Sequence, residues 1–228
     1  MSTEIKLDRD TFVARTEAVL RSMIFSGQIR PGERLNEVTL AATLGISRGP
    51  LREAVQRLGG QGILISQPHR GSFVRTFTRA EIVELYEMRS AVELQAVRVL
   101  SRAGGDEAVV HLRDLATRAH AVLSAAPGSP FPADLDFHHQ LVSLSGNTML
   151  IRAAHDLQLQ IALARSMSAS QPARAREASD EHDAVVDAIA RHDAAAACDL
   201  MEHHIQHSMQ NALAALGVDD QEENTRDI

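Results

Sequence analysis

The chain has 228 residues, of which 44% are hydrophobic and 23% charged, so it has enough apolar material for a packed core. At about 100–200 residues per domain it makes one large domain or two small ones, and wholesale disorder is excluded. A single cysteine excludes a disulfide framework, and the net charge of −7 argues, as an average, against a nucleic-acid partner. No stretch approaches the ~20 apolar residues that span a bilayer, and the start MSTEIKLDRD lacks the apolar run of a secretory signal. These features predict a cytoplasmic chain without membrane association. The average charge misleads, however. Residues 1–76 hold 11 basic and 7 acidic side chains, a balance of +4, and residues 77–228 hold 12 basic and 23 acidic, a balance of −11. Such asymmetry suggests separate tasks for the two parts.

In chain order, residues 11–26 carry apolar side chains at helical spacing (Val13, Val19, Leu20, Met23, Ile24) and stop at Gly27. Arg30-Pro31-Gly32 predicts a turn. Asn36 is a good N-cap for a short helix over 37–44, which Gly45 ends. Ser47 then caps a second short helix through Leu51, Ala54, Val55 and Leu58, expected to stop at Gly59-Gly60. Pro50 falls near its first turn, where a missing N–H does no harm. The β-prone runs 63–66 and 72–76, separated by Gln67-Pro68-His69-Arg70-Gly71, predict a hairpin. This order of elements is that of a winged helix-turn-helix. From Arg48 to Arg75 there are five arginines and one acid, Glu53, a local basic excess on the segment that would face DNA.

After Thr78 the sequence predicts only helices, over 79–102, 106–125, 131–145, 148–168, 173–191 and 193–216, followed by an acidic, disordered tail over 217–228. Short connections favour an antiparallel bundle. The fold class expected is mainly α, with a winged helix-turn-helix over 1–76 and an all-helical domain over 77–216.

Several polar residues interrupt the apolar arcs of those helices. Stepped at 100° per residue, 131–145 places Asp134 and His138 among Leu135, Phe137, Leu141, Val142 and Leu144. His182 centres the inner face of 173–191, and His204 sits at the edge of the inner face of 193–216. Buried Asp and His are costly unless paired or bound to metal. One carboxylate and three imidazoles suit a divalent transition metal such as Zn, Ni or Mn. His203 and His207 also have i,i+4 spacing, but on the polar face, where a solvated helix side is the better reading. Arg89 falls among Leu85, Val92, Ala96 and Val99. Either Glu93, four residues on, satisfies it, or it holds an effector carboxylate in its planar fork.

The stretch Pro31-Gly32-Glu33-Arg34-Leu35-Asn36-Glu37, with Leu40-Ala41, Leu44-Gly45-Ile46-Ser47-Arg48, Pro50-Leu51-Arg52-Glu53-Ala54 and Arg57-Leu58, resembles a GntR-family DNA-binding domain. Gly62-Ile63-Leu64 and Arg70-Gly71-Ser72-Phe73-Val74 complete it as the wing. Downstream, Glu87-Met88-Arg89 with Glu93, Asp134 through Phe137-His138, Ser145-Gly146-Asn147, Glu181-His182 and Met201 with His204-Ile205 resemble the FCD effector domain of the FadR branch. The count of six helices favours its shorter, VanR-like version. Two departures are visible: Gly49 stands where the family usually has Thr, and Gly59-Gly60 replaces a polar, helix-favouring pair. The resemblance implies that Ser47, Arg48 and Arg52 meet double-stranded DNA at a palindromic operator, with Arg70 and Gly71 approaching at the wing tip. It implies that Asp134, His138, His182 and His204 hold the metal and that Arg89 receives a small organic acid. It also implies a homodimer acting, most often, as a repressor, with the effector's influence passing through residues 76–79. Three rivals remain open at this level: a metal-dependent hydrolase using the His/Asp set, a regulator whose metal is purely structural, and an acyl-CoA sensor, which the intact His/Asp set disfavours.

Overall fold

The computed structural model describes residues 9–103, 106–125, 136–167 and 172–216. The tail over 217–228 and Asp134 lie outside them. Two compact units divide the chain: one holds the residues up to Phe77 together with Ala162–Ser166, and the other holds the remainder.

The first unit runs α1 (Arg9–Phe25), α2 (Glu37–Leu44), α3 (Arg48–Gly60), β1 (Leu64–Gln67) and β2 (Gly71–Val74). α1 buries Val13, Leu20 and Ile24 together with Thr16 and Glu17, whereas Val19 is largely exposed despite its place in the apolar pattern. Glu17 tolerates this burial because it accepts a 2.9 Å hydrogen bond from Gln61 Nε2. Asn36 caps α2 by accepting from the Thr39 amide, and Gly45 closes it in the left-handed conformation, its N–H directed to the carbonyls of Ala41 and Ala42. α3 buries Leu51, Ala54, Val55 and Leu58, an i, i+3, i+4, i+7 stripe, and packs on α1.

α3 ends at Gly60, within the expected Gly59-Gly60 stop, and the chain turns at Gly62, where φ is +74°. A Cβ on Gly60 would meet no neighbouring atom, and its φ is not positive. Gly60→Ala should therefore raise the stability of this unit by about 0.4–1 kcal/mol, mainly by restricting the unfolded chain. A shift of the urea midpoint to higher concentration checks this; a lower midpoint would contradict it.

β1 and β2 pair antiparallel in the register Leu64↔Val74, Ile65↔Phe73, Ser66↔Ser72 and Gln67↔Gly71. A third segment joins this hairpin. The Leu35 amide donates to Ser72 O, the Val74 amide to Glu33 O and the Gly32 amide to Val74 O, with Arg34 bridged to Phe73. Glu33-Arg34-Leu35 is too short to show strand periodicity, which is why only a turn is legible there.

The remaining helices are α4 (Arg79–Ala103), α5 (Asp106–Ala125), α6 (Phe137–Leu144), α7 (Thr148–Met167), α8 (Pro172–Ala190) and α9 (Ala194–Ala215), all in the second unit except for residues 162–166 of α7. α4 and α8 both pack on α9, α5 packs on α8, and α6 touches α4 and α5. α6 requires a correction: a single helix over 131–145 is not formed. Asp136 has extended backbone and its side chain accepts from the His138 and His139 amides, so it is an N-cap that starts the helix at Phe137. Asp134, which periodicity placed beside His138, lies outside the described residues. Among the described residues, no helix is long and apolar enough to cross a membrane.

Candidate metal centre and nucleic-acid interface

The chemistry of the second unit converges on four helices. α6 supplies His138, α8 supplies His182 and α9 supplies His204, all buried. His204, placed by periodicity at the edge of its inner face, is only 3% exposed. The three Nε2 atoms form a triangle with sides of 3.1 Å (His138–His204), 3.3 Å (His138–His182) and 3.4 Å (His182–His204). The Phe137 ring stacks on His182 with centroids 4.1 Å apart and planes within 9°.

Two carboxylates decide what those nitrogens can do. His138 Nδ1–H donates to Glu93 Oε2 at 2.8 Å, and His204 Nδ1–H donates to Glu181 Oε2 at 2.6 Å. In the neutral rings both Nε2 atoms are then bare acceptors. Their 3.1 Å separation sets lone pair against lone pair. His182 can offer one proton from Nε2, and one proton cannot satisfy three sides of a triangle. A cation at its centre satisfies all three at once. The fit is close, since four-coordinate Zn–N bonds of about 2.0–2.1 Å imply N–N edges of about 3.3 Å. Carboxylates behind the ligating imidazoles are the usual arrangement for fixing tautomer and orientation in metal sites.

A proton is a poor substitute for that cation at His204. Burial lowers its pKa from 6.5 to about 4; the Glu181 hydrogen bond opposes this shift, and the positive Arg89 reinforces it. Above pH 6.5 the folded and unfolded chains both carry this imidazole neutral. As pH falls from 6.5 toward 4, the unfolded chain takes up a proton that the folded one refuses, so stability falls across that window. In metal-stripped protein this should cost up to about 3 kcal/mol. Urea titrations between pH 7.5 and 4.5 should show that loss in the wild type and a shallower one in His204→Gln; equal slopes would contradict it.

Glu93 also receives Arg89. Arg89 Nε donates to Glu93 Oε1 at 2.9 Å, with both side chains 2% exposed. Burial is the largest single influence and works against the guanidinium charge, but Glu93, Tyr86 and Asp136 together hold the pKa above its usual value. Arg89 NH1 reaches Ser208 Oγ at 3.3 Å, Ser208 Oγ lies 3.1 Å from the Tyr86 hydroxyl, and the guanidinium lies over the Tyr86 ring at 5.5 Å. A continuous chain thus runs from Ser208 through Arg89 and Glu93 to His138 and the triangle. The sequence named Glu93 only as a partner for Arg89. Its second role, and those of Tyr86 and Ser208, had no signal in periodicity.

In the first unit Ser47, Arg48, Arg52, Arg70 and Gly71 are all exposed. Ser47 occupies the N-cap position of α3, but its side chain makes no capping hydrogen bond. Arg48 and Arg52 are one turn apart on the start of α3. Arg52 Nε donates to Glu37 Oε2 of α2 at 3.1 Å, a pairing the sequence did not reveal. At the wing turn His69 has φ +60° and Gly71 φ +99°; a Cβ on Gly71 would lie 3.2 Å from Arg34 Nε. Arg70 leans over the Phe73 ring at 5.7 Å.

The chain is similar to known proteins in both parts. Residues 12–74 match the bacterial regulatory proteins of the gntR family, and residues 84–207 match the FCD domain. The chain belongs to the gntR family. This GntR regulator is 37% identical over 143 residues to the Nta operon transcriptional regulator of Aminobacter aminovorans, covering 63% of this chain and 68% of that one. It is 30% identical over 153 residues to the gluconate operon transcriptional repressor of Bacillus licheniformis, covering 67% of this chain and 63% of that one. A solved GntR transcriptional regulator from Rhodococcus sp. RHA1 superposes with a TM-score of 0.75 at 28% identity, covering 90% of this chain and 99% of that one. The family consists of DNA-binding transcriptional regulators rather than enzymes, so the hydrolase alternative is set aside.

Proposed function

We propose that this GntR regulator is a metal-containing, metabolite-responsive repressor. In this reading residues 1–76 read a palindromic operator as part of a homodimer in the cytoplasm. Residues 77–216 carry dimerisation and an effector site built on His138, His182 and His204. Asp134, outside the described residues, is the fourth ligand by resemblance. The observation that carries this reading is the triangle of Nε2 atoms in which two are fixed as acceptors by Glu93 and Glu181. The donor set suits Zn, Ni or Mn, and the metal would supply a Lewis-acid anchor for an anionic effector.

Arg89 is the second anchor. Glu93 holds its Nε, while the 3.3 Å contact to Ser208 is long for a hydrogen bond, so this terminal edge is the one a carboxylate can claim. The naming of one relative for a gluconate operon, whose sugar acid is a hydroxycarboxylate, agrees with a small organic acid here. Ser47, Arg48 and Arg52 would meet base edges and phosphates in the major groove, and Arg70 and Gly71 the backbone beside the wing. Effector binding must favour one conformation, and a coupling of about 1–3 kcal/mol would change operator affinity roughly 5–150-fold.

A second reading keeps the regulator but makes the metal structural. The near-complete burial of Arg89 and its pairing with Glu93 favour it. One experiment separates the two. Elemental analysis of the untagged protein should find a divalent transition metal, and its removal should lower the melting temperature. A panel of small hydroxy and dicarboxylic acids should then raise the melting temperature of the loaded protein but not of the stripped protein. Saturation at 100 times Kd corresponds to about 2.7 kcal/mol. No acid-induced shift in either form leaves the structural metal standing. No change on metal removal overturns both readings.

A further inference from the structure

We propose that Glu181, His203 and His207 form a second divalent transition-metal site, on the solvent side of the bundle and separate from the buried triangle. His203 and His207 lie one turn apart on α9, with ring centroids 4.0 Å apart, and Glu181 comes from α8. One ligand atom from each of the three residues falls within 4.8 Å of the others. The spacing of the two histidines had suggested only a solvated helix side, and His203 is indeed exposed. What changes the reading is the carboxylate, because Glu181 Oε1 lies 2.9 Å from His207 Nδ1. Two imidazoles at i,i+4 and a carboxylate from a neighbouring helix make an N2O donor set that suits Zn, Ni or Cu, with the remaining positions open to water. The 2.9 Å separation is the edge expected between adjacent ligands of an octahedral ion at bonds of about 2.0–2.2 Å, as for Ni²⁺ with waters in the open positions. The same cation could therefore replace the hydrogen bond without moving the helices.

Glu181 links the two centres. Its Oε2 accepts from His204 Nδ1 at 2.6 Å, while its Oε1 faces His207. One carboxylate thus supports an inner ligand from behind and serves as a ligand to the outer ion. The outer site does not require the inner one to be filled, so the proposal goes beyond the metal reading above.

Calorimetric titration of the metal-stripped, untagged, full-length chain with Ni²⁺ tests it. The expected result is two classes of site per chain, the weaker of which is lost in His203→Asn/His207→Asn with the tighter retained. These substitutions lie at the surface, and circular dichroism should show unchanged folding. His138→Ala should remove the tighter class and spare the weaker one, which separates failure of the inner site from failure of the outer. Equal stoichiometry in the wild type and the His203→Asn/His207→Asn protein would overturn the proposal, whether or not the inner site binds.

Discussion

Glu93→Ala is expected to destabilise the FCD domain by about 3–5 kcal/mol, the largest single effect among the residues around the triangle. The wild-type carboxylate faces two buried donors, Arg89 Nε at 2.9 Å and His138 Nδ1 at 2.8 Å. Alanine would strand a guanidinium that is 2% exposed and leave an imidazole N–H without its acceptor. The loss reflects stranded groups rather than the worth of the pair, and this gives the test a second arm. Arg89→Met combined with Glu93→Gln removes both charges at similar volume, so it should cost clearly less than the sum of the single substitutions. Urea unfolding of the four proteins at pH 7.5 closes the cycle. A Glu93→Ala loss below about 1 kcal/mol would show the pair to be solvated and would remove the basis for the buried chain. Metal should report the same residue differently: Glu93→Gln, which keeps the shape but loses the charge behind His138, should weaken metal binding by about 10–100-fold.

The second large effect is expected at the DNA-reading helix. Arg52→Ala should abolish specific operator binding while leaving the protein folded. A bidentate arginine–guanine contact contributes about 1–3 kcal/mol, and the proposed dimer would lose it twice, so affinity should drop roughly 30- to 10⁴-fold. The ion pair with Glu37 is exposed on the Arg52 side and contributes at most about 1 kcal/mol, so unfolding should barely change. That pair also suggests how the arginine is aimed. With Nε held by Glu37, the two terminal nitrogens remain to address a base edge. Anisotropy titrations at matched salt should show the loss on the operator and only a small change on unrelated DNA. Undiminished operator affinity in Arg52→Ala would remove it from the recognition surface. Salt dependence should follow the arginines of the head rather than the whole-chain charge of −7.

The route from sequence to fold was direct wherever a local rule governs. Asn36, Gly45 and the stripe of Leu51, Ala54, Val55 and Leu58 gave α2 and α3 because caps and 3.6-residue periodicity act within one helix. The six helices of the second part were legible for the same reason, as was the inward aim of His138, His182 and His204. Errors arose where a local signal had a competitor. Asp136 looked like a polar residue within a helix but caps it, because its backbone is extended and its carboxylate captures the amides of His138 and His139. Val19, expected in the apolar stripe of α1, is exposed, while Glu17 is buried with Gln61, 44 residues away, satisfying the acid.

The family, the division between a basic head and an acidic body, and the residue types of the candidate metal centre are all legible in the chain alone. Charge balance, capping and motif order are properties of the chain read locally, and they survive without coordinates. Which side chains share a partner follows from the packing of the helices in three dimensions. Glu93 joins Arg89 to His138 across two helices, Glu181 joins His204 to His207, and Glu37 holds Arg52. Periodicity assigns a side chain to a face but not to a partner. Partner choice depends on how far apart the helix axes lie and at what height each side chain crosses the gap. Glu93 and Glu181 fix two of the imidazole tautomers, and so the packing of the helices turned inward histidines into two facing lone pairs beside His182.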